Sequence, residues 1–196
     1  MFDFWGTLAY LEQGEDFGQV IANSLKISKK EYAQLVLDNW FINNISSEEF
    51  AKLLVKKSNV LESEILHIAN LIESPISRAR LFSDVKSSLN RLKVENNLYL
   101  ISDTSSIGER SIDLLNVRSY FNGIFLSNRY GVTKKNGLFK KAFEELGGRP
   151  DDYLVIGDSV ESDYLVPRSL AARSILIDRA GVHNGFDSIR TLEELK

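Results

Sequence analysis

Tyr153-Leu-Val-Ile-Gly157-Asp158-Ser159 is an unbroken run of apolar and aromatic residues that ends on a glycine, a carboxylate and a hydroxyl. A continuous rather than alternating apolar run is the pattern of a strand covered on both faces, as in a parallel sheet. Working outward, Leu98-Tyr-Leu-Ile101, Gly123-Ile-Phe-Leu126 and Ser174-Ile-Leu-Ile177 repeat the pattern. Helical signals lie between them. The clearest spans Leu138 to Leu146, where Phe139, Phe143 and Leu146 recur at i, i+4 and i+7 before Gly147-Gly148. Strand and helix in alternation predict an α/β fold with a doubly wound, mostly parallel sheet. In such sheets ligands bind beyond the carboxyl ends of the strands, so the residues directly after each run are the candidates for function.

Residues from about Gly14 to Arg80 show no strand-like run. Ser28-Lys-Lys-Glu31 and Ser46-Ser-Glu-Glu49 have the form of capping boxes, each followed by helical apolar spacing: Tyr32, Leu35, Val36 and Trp40, then Phe50, Leu53 and Leu54. A further helix is expected from Leu61 to Ile72, with Ile65, Leu66, Ala69 and Ile72 on one face. The chain therefore divides into an α/β core, residues 1–13 and 76–196, and an inserted all-helical domain, residues 14–75.

Composition narrows the function. The chain has 196 residues with 43% hydrophobic and 26% charged, values of a globular protein with a real core. A formal net charge of −3 argues against a nucleic-acid or membrane-surface partner. Cysteine is absent, which excludes disulfides, thiolate nucleophiles and Cys-ligated metals. With no membrane-length apolar run and no leader, the sequence reads as cytoplasmic. His67 and His183 stand apart from other ligand types and read as structural or surface residues.

The strand ends bring chemistry together. In chain order they carry Asp3-Phe-Trp-Gly-Thr7-Leu8, Ser102-Asp103-Thr104, Lys134 after Gly131-Val-Thr, and Gly157-Asp158-Ser159 with Asp163 beyond. Each residue alone is a common cap or turn former. Jointly, at one sheet edge, they are a site. Carboxylates crowded at neighbouring strand ends need a hard cation, and Mg²⁺ suits oxygen ligands with a substrate phosphate.

This ordered set resembles the haloacid dehalogenase-like hydrolase superfamily, mostly phosphatases that work through a phosphoaspartate. The resemblance covers nearly the whole chain and places the helical insertion where that family carries a cap. It implies Asp3 as nucleophile and Lys134, rather than Lys135, as the charge-neutralising ammonium. Thr7 would bond near the nucleophile and hold its loop, with Ser102 and Asp103 at the phosphate. Mg²⁺ would be bound by Asp3, the backbone carbonyl of Trp5 and Asp158, with Asp163 supporting through water or Lys134.

One position departs from the family. Its phosphatases usually place a second aspartate two residues after the nucleophile as general acid and base, and here that position is Trp5. An indole cannot transfer that proton, a role typically worth ~10²–10⁴-fold. Three readings follow. The first is an Mg²⁺-dependent phosphatase of a small phosphorylated metabolite that favours good leaving groups such as acyl phosphates. The second is a 2-haloacid dehalogenase, whose branch also carries an aromatic at this position. The third is a weakly catalytic relative that binds a phospho-ligand or a protein.

Trp40 reads as core, or as an aromatic facing the site. Arg78 and Arg80 read as solvated or as reaching a substrate anion, and Pro167 as lying in the first turns of a helix. Hinges are expected near Leu11 to Gly14 and Pro75 to Arg80, and the chain is expected as a monomer or homodimer. With Asp3 ending the central strand, Met1 and Phe2 leave that strand short, so upstream residues are expected to be missing.

Overall fold

The computed structural model describes residues 1–58 and 60–196. In chain order the first elements are β1 (Ala9–Leu11), α1 (Phe17–Ser24), α2 (Lys29–Leu35), α3 (Ser47–Lys57), α4 (Ile65–Glu73) and β2 (Ala79–Leu81). Then follow α5 (Val85–Leu92), β3 (Tyr99–Ser102), α6 (Ser106–Leu114), β4 (Gly123–Leu126), α7 (Ser127–Tyr130) and α8 (Leu138–Leu146). The chain closes with β5 (Leu154–Gly157), α9 (Val166–Ser169), β6 (Arg173–Ile177) and β7 (Ser188–Ile189).

The four apolar runs are the strands β3, β4, β5 and β6, paired in parallel within one or two residues of the expected bounds. Phe2 joins the two halves, bridging in parallel to Leu100 on one side and Ile156 on the other. The short central strand is nonetheless fully laddered. Phe2 N donates to Tyr99 O at 2.8 Å, Ile101 N to Phe2 O at 2.8 Å, Ile156 N to Met1 O at 2.8 Å and Asp3 N to Ile156 O at 2.9 Å. The spatial order is therefore β4, β3, Phe2, β5, β6, β7.

Both faces of this sheet are covered, as the continuous runs demanded. Phe2, Leu100, Leu126 and Ile156 pack with Val85, Leu89 and Ile112 on one face. Met1, Ile101, Phe125 and Val155 pack with Leu138, Phe139 and Phe143 of α8 on the other. Successive strand residues thus alternate between two dry layers, each buried side chain contributing roughly 1.5–3 kcal/mol.

The helical block has its own core, including Ile21, Leu25, Trp40, Phe50, Leu54, Ile68 and Ile72, to which α6 lends Ile107. At Ser46 and Glu49 the reciprocal capping box forms, whereas Ser28 caps Glu31 N at 3.1 Å with no return bond. Leu66, expected on the buried face of α4, is instead 69% exposed. Ile68 takes its place, because the buried stripe runs through Ile68, Ala69 and Ile72. A second correction concerns the flanks of the block. They form an antiparallel ribbon of β1 with β2, pairing Ala9 with Leu81 and Leu11 with Ala79. Three residues on each side are too few to carry a visible alternation, and only the meeting of two distant segments makes them strands.

Arg78 and Arg80 belong to this ribbon region. The guanidinium of Arg78 lies over the Phe17 ring at 4.0 Å, and Arg80 pairs with Glu12 at 2.9 Å. Pro167 stands in the first turn of α9, directly after a wide helical turn over Val160–Leu165. Among the described residues no helix is long and apolar enough to cross a membrane.

Candidate active site

Each candidate carboxylate stands where a parallel strand stops. Asp3 follows the central rung, Asp158 follows β5, and Asp163 lies one turn on in the wide helical turn. The buried ammonium of Lys134 sits between two of them. Its Nζ donates to Asp3 Oδ1 and, at 2.7 Å, to Asp163 Oδ1. Lys135 instead points outward to Glu161. Asp163 also accepts from Ser159 N at 3.1 Å, and Asp103 Oδ1 accepts from Lys134 N at 2.8 Å. Asp103 therefore pins the lysine's loop.

Asp3, Lys134 and Asp163 are 5%, 3% and 1% exposed, while Asp158 opens toward solvent. Oxygens of Asp3, Asp158 and Asp163 all lie within 4.8 Å of one another. Two of these three carboxylates pair with the one ammonium, and the electrostatics follow from that imbalance. Burial, reinforced by Asp163 and only partly offset by Lys134, pushes the Asp3 carboxyl up to about 7. Burial also raises Asp158, with Asp163 adding to it. Burial opposes the charge on Lys134, but the carboxylates of Asp3, Asp163 and Asp103 outweigh it and hold the ammonium above its usual value. A hard divalent cation fits this donor set, because it would supply the missing positive charge to oxygen ligands.

Gly6 lets the loop after Asp3 close over the cluster. Its φ is +77°, and a Cβ there would collide with the Asp158 carboxylate. Ser102 is 1% exposed at the end of β3, and its hydroxyl has no partner, so an unsatisfied donor is available beside the cluster. Thr7 departs from expectation. Its hydroxyl is buried without a partner and bonds nothing near Asp3. The loop is held through its backbone, since Arg179 Nη2 donates to Thr7 O at 2.7 Å. Arg179 is in turn fixed by Asp84 at 3.0 Å and stacked over Phe82 at 3.8 Å. Sequence reasoning missed both residues. His67 and His183 are both exposed, and His183 lines a pocket that also contains Gly6 and Asp158.

A family model described as haloacid dehalogenase-like hydrolase matches residues 1–169. The chain belongs to this family. Solved structures share its fold across almost their whole length. A HAD phosphatase from Thermococcus onnurineus is 22% identical with a TM-score of 0.66, over 99% of this chain and 94% of that one. A 2-haloacid dehalogenase from Pseudomonas syringae pv. Tomato DC3000 is 16% identical, with a TM-score of 0.69 over the same shares of the two chains, 99% and 94%. A HAD family enzyme from Bacteroides thetaiotaomicron, in complex with magnesium and inorganic phosphate, is 18% identical with a TM-score of 0.70, over 94% and 95%. No curated protein matched the sequence. Within this haloacid dehalogenase-like hydrolase, residues from all four motif segments meet at one acidic cluster.

Proposed function

We propose that this hydrolase is an Mg²⁺-dependent phosphatase of a small phosphorylated metabolite, with Asp3 as nucleophile. The observation that carries the reading is the cluster itself: a buried carboxylate held by a lysine, with two further carboxylates whose oxygens lie within 4.8 Å. Neighbours crystallised with magnesium support the choice of ion.

Asp3 attacks phosphorus and the leaving group departs, giving an acyl-phosphate that water then cleaves. Lys134 neutralises charge gathering on the phosphoryl oxygens, and the unpartnered Ser102 hydroxyl donates to one of them. Mg²⁺, when bound by Asp3, Asp158 and the Trp5 carbonyl with Asp163 in support, supplies the remaining positive charge. Asp103 orients Lys134 through its backbone N–H. The helical block, resting on the core through Ser106 Oγ to Ile45 O at 2.7 Å and Arg110 to Glu73 at 2.8 Å, acts as the cap that limits water. The dehalogenase reading keeps the aromatic Trp5 in its favour. Against it stand Asp158 and Asp163, which attack on carbon does not need.

Turnover of acetyl phosphate that stops with a chelator is the expected result, and turnover indifferent to the chelator contradicts the reading. The pH dependence follows from Asp3. The folded protein holds this proton more tightly than the unfolded chain, whose ordinary value is 3.8. This group's contribution to metal-free stability is therefore fully present below that value and is lost as pH rises through about 7. Mg²⁺ must displace the proton, so affinity should weaken by about tenfold per pH unit below 7. Calorimetric titration between pH 6 and 8 checks this, with proton release expected on binding.

Trp5 gives a third test. Replacing Trp5 with Asp restores a proton donor two residues from the nucleophile, and hydrolysis of an alkyl phosphate monoester is expected to rise at least about tenfold. Steady-state kinetics with glycerol phosphate read the change, and a fall would mean that Trp5 contacts the ester itself.

A further inference from the structure

Beyond the acidic cluster, between the helical block and the core, lies a cavity of about 180 Å³. Its walls include Trp5, Phe17, Tyr32, Trp40 and Ile107, with Thr104 on the core side. Trp5 stands two residues beyond Asp3, and Thr104 two beyond Ser102. Two residues of chain reach at most about 7 Å, so this wall adjoins the proposed phosphate site. Gly108 brings α6 close to it, since a Cβ there would collide with Thr104 Oγ1 and lie 3.2 Å from Trp5 Nε1.

Three observations converge on what the cavity takes. An apolar cavity of about 150 Å³ accepts benzene, so this one has room for an aromatic ring. Its walls are aromatic in Trp5, Phe17, Tyr32 and Trp40, and a flat ring packs well against such walls. Finally, with Trp5 where a general acid would stand, the leaving oxygen must depart without a proton from the protein. A phenolate does so far more readily than an alkoxide.

We propose that the cavity receives the leaving group and that the substrate is a phosphate ester of an aromatic hydroxyl. The inference rests on the phosphatase reading of the adjoining cluster. A bond forms between an Asp3 oxygen and phosphorus while the P–O(aryl) bond breaks. The bonding pair leaves on the phenolate, which takes its proton from solvent. Water then cleaves the acyl-phosphate, releasing inorganic phosphate and restoring the Asp3 carboxylate.

The chain has two tryptophans, and both line this cavity, so intrinsic fluorescence reports its occupation without requiring turnover. The Mg²⁺-loaded protein is titrated with phenylphosphonate and with methylphosphonate, and acetyl phosphate hydrolysis is measured separately. Phenylphosphonate is expected to bind at least about tenfold more tightly, as burial of a ring implies, and to change the tryptophan emission. Equal affinities, or an emission unchanged at saturation, overturn the proposal while acetyl phosphate turnover leaves the phosphatase reading standing. Preference for the phenyl compound without acetyl phosphate turnover keeps the aromatic site and overturns the phosphatase reading.

Discussion

Replacing Asp3 with Asn is expected to lower kcat/KM on acetyl phosphate by at least about 10³-fold, because an amide cannot form the acyl-phosphate assigned to the Asp3 carboxylate. The same change should leave the metal-free protein as stable as the parent or more so. Asn keeps an oxygen for Lys134 and removes one negative charge from a cluster of three carboxylates of which the ammonium pairs with two. A thermal melt separates the two effects. Activity falls while the melting temperature holds or rises, and the stabilisation by Mg²⁺ shrinks because a ligand has gone. A purely structural Asp3 would show the opposite pairing, with lost stability and residual turnover.

Lys134→Ala is expected to be the most destabilising single change at the site. It leaves Asp3 and Asp163 buried at 5% and 1% exposure without their shared counter-charge. Removing one partner of a buried ion pair costs about 3–5 kcal/mol. For a chain of this size that corresponds to a fall in Tm of roughly 10 °C. Two treatments should recover part of the loss. Lower pH protonates the orphaned carboxylates, and Mg²⁺ replaces the missing charge. Activity should fall at least about 10²-fold even where folding is rescued, since a donor to the phosphoryl oxygens has gone. A variant that melts as the parent does at neutral pH without Mg²⁺ would show that the lysine is not the counter-ion.

The parts of this account legible in the sequence are those that depend on local order. Asp158 is readable because it directly ends an apolar run, and Leu138 to Leu146 because its period and its glycines agree. Lys134 needed only the short segment before it, and the structure turns it, rather than Lys135, toward Asp3. What escaped depends on pairs distant in the chain. Arg179 and Asp84 form one clamp on the loop after Asp3 across 95 positions, and neither has a local pattern to mark it. The β1–β2 ribbon is hidden for the same reason. Thr7 misled because a hydroxyl near a nucleophile suggests a side-chain bond, whereas its backbone carbonyl is the atom engaged. Trp40 was legible as core, and its unpartnered N–H was not, because periodicity gives the face of a helix and not the fate of one polar atom.

The central claim is that Asp3 carries the phosphoryl group, and rapid acid quench followed by peptide mass spectrometry tests it most directly. With Mg²⁺ and acetyl phosphate, the account predicts one added phosphoryl group on the peptide containing Asp3, absent in Asp3→Asn and absent with a chelator. A phosphoryl group on another residue, or steady turnover by the Asn variant, would contradict it.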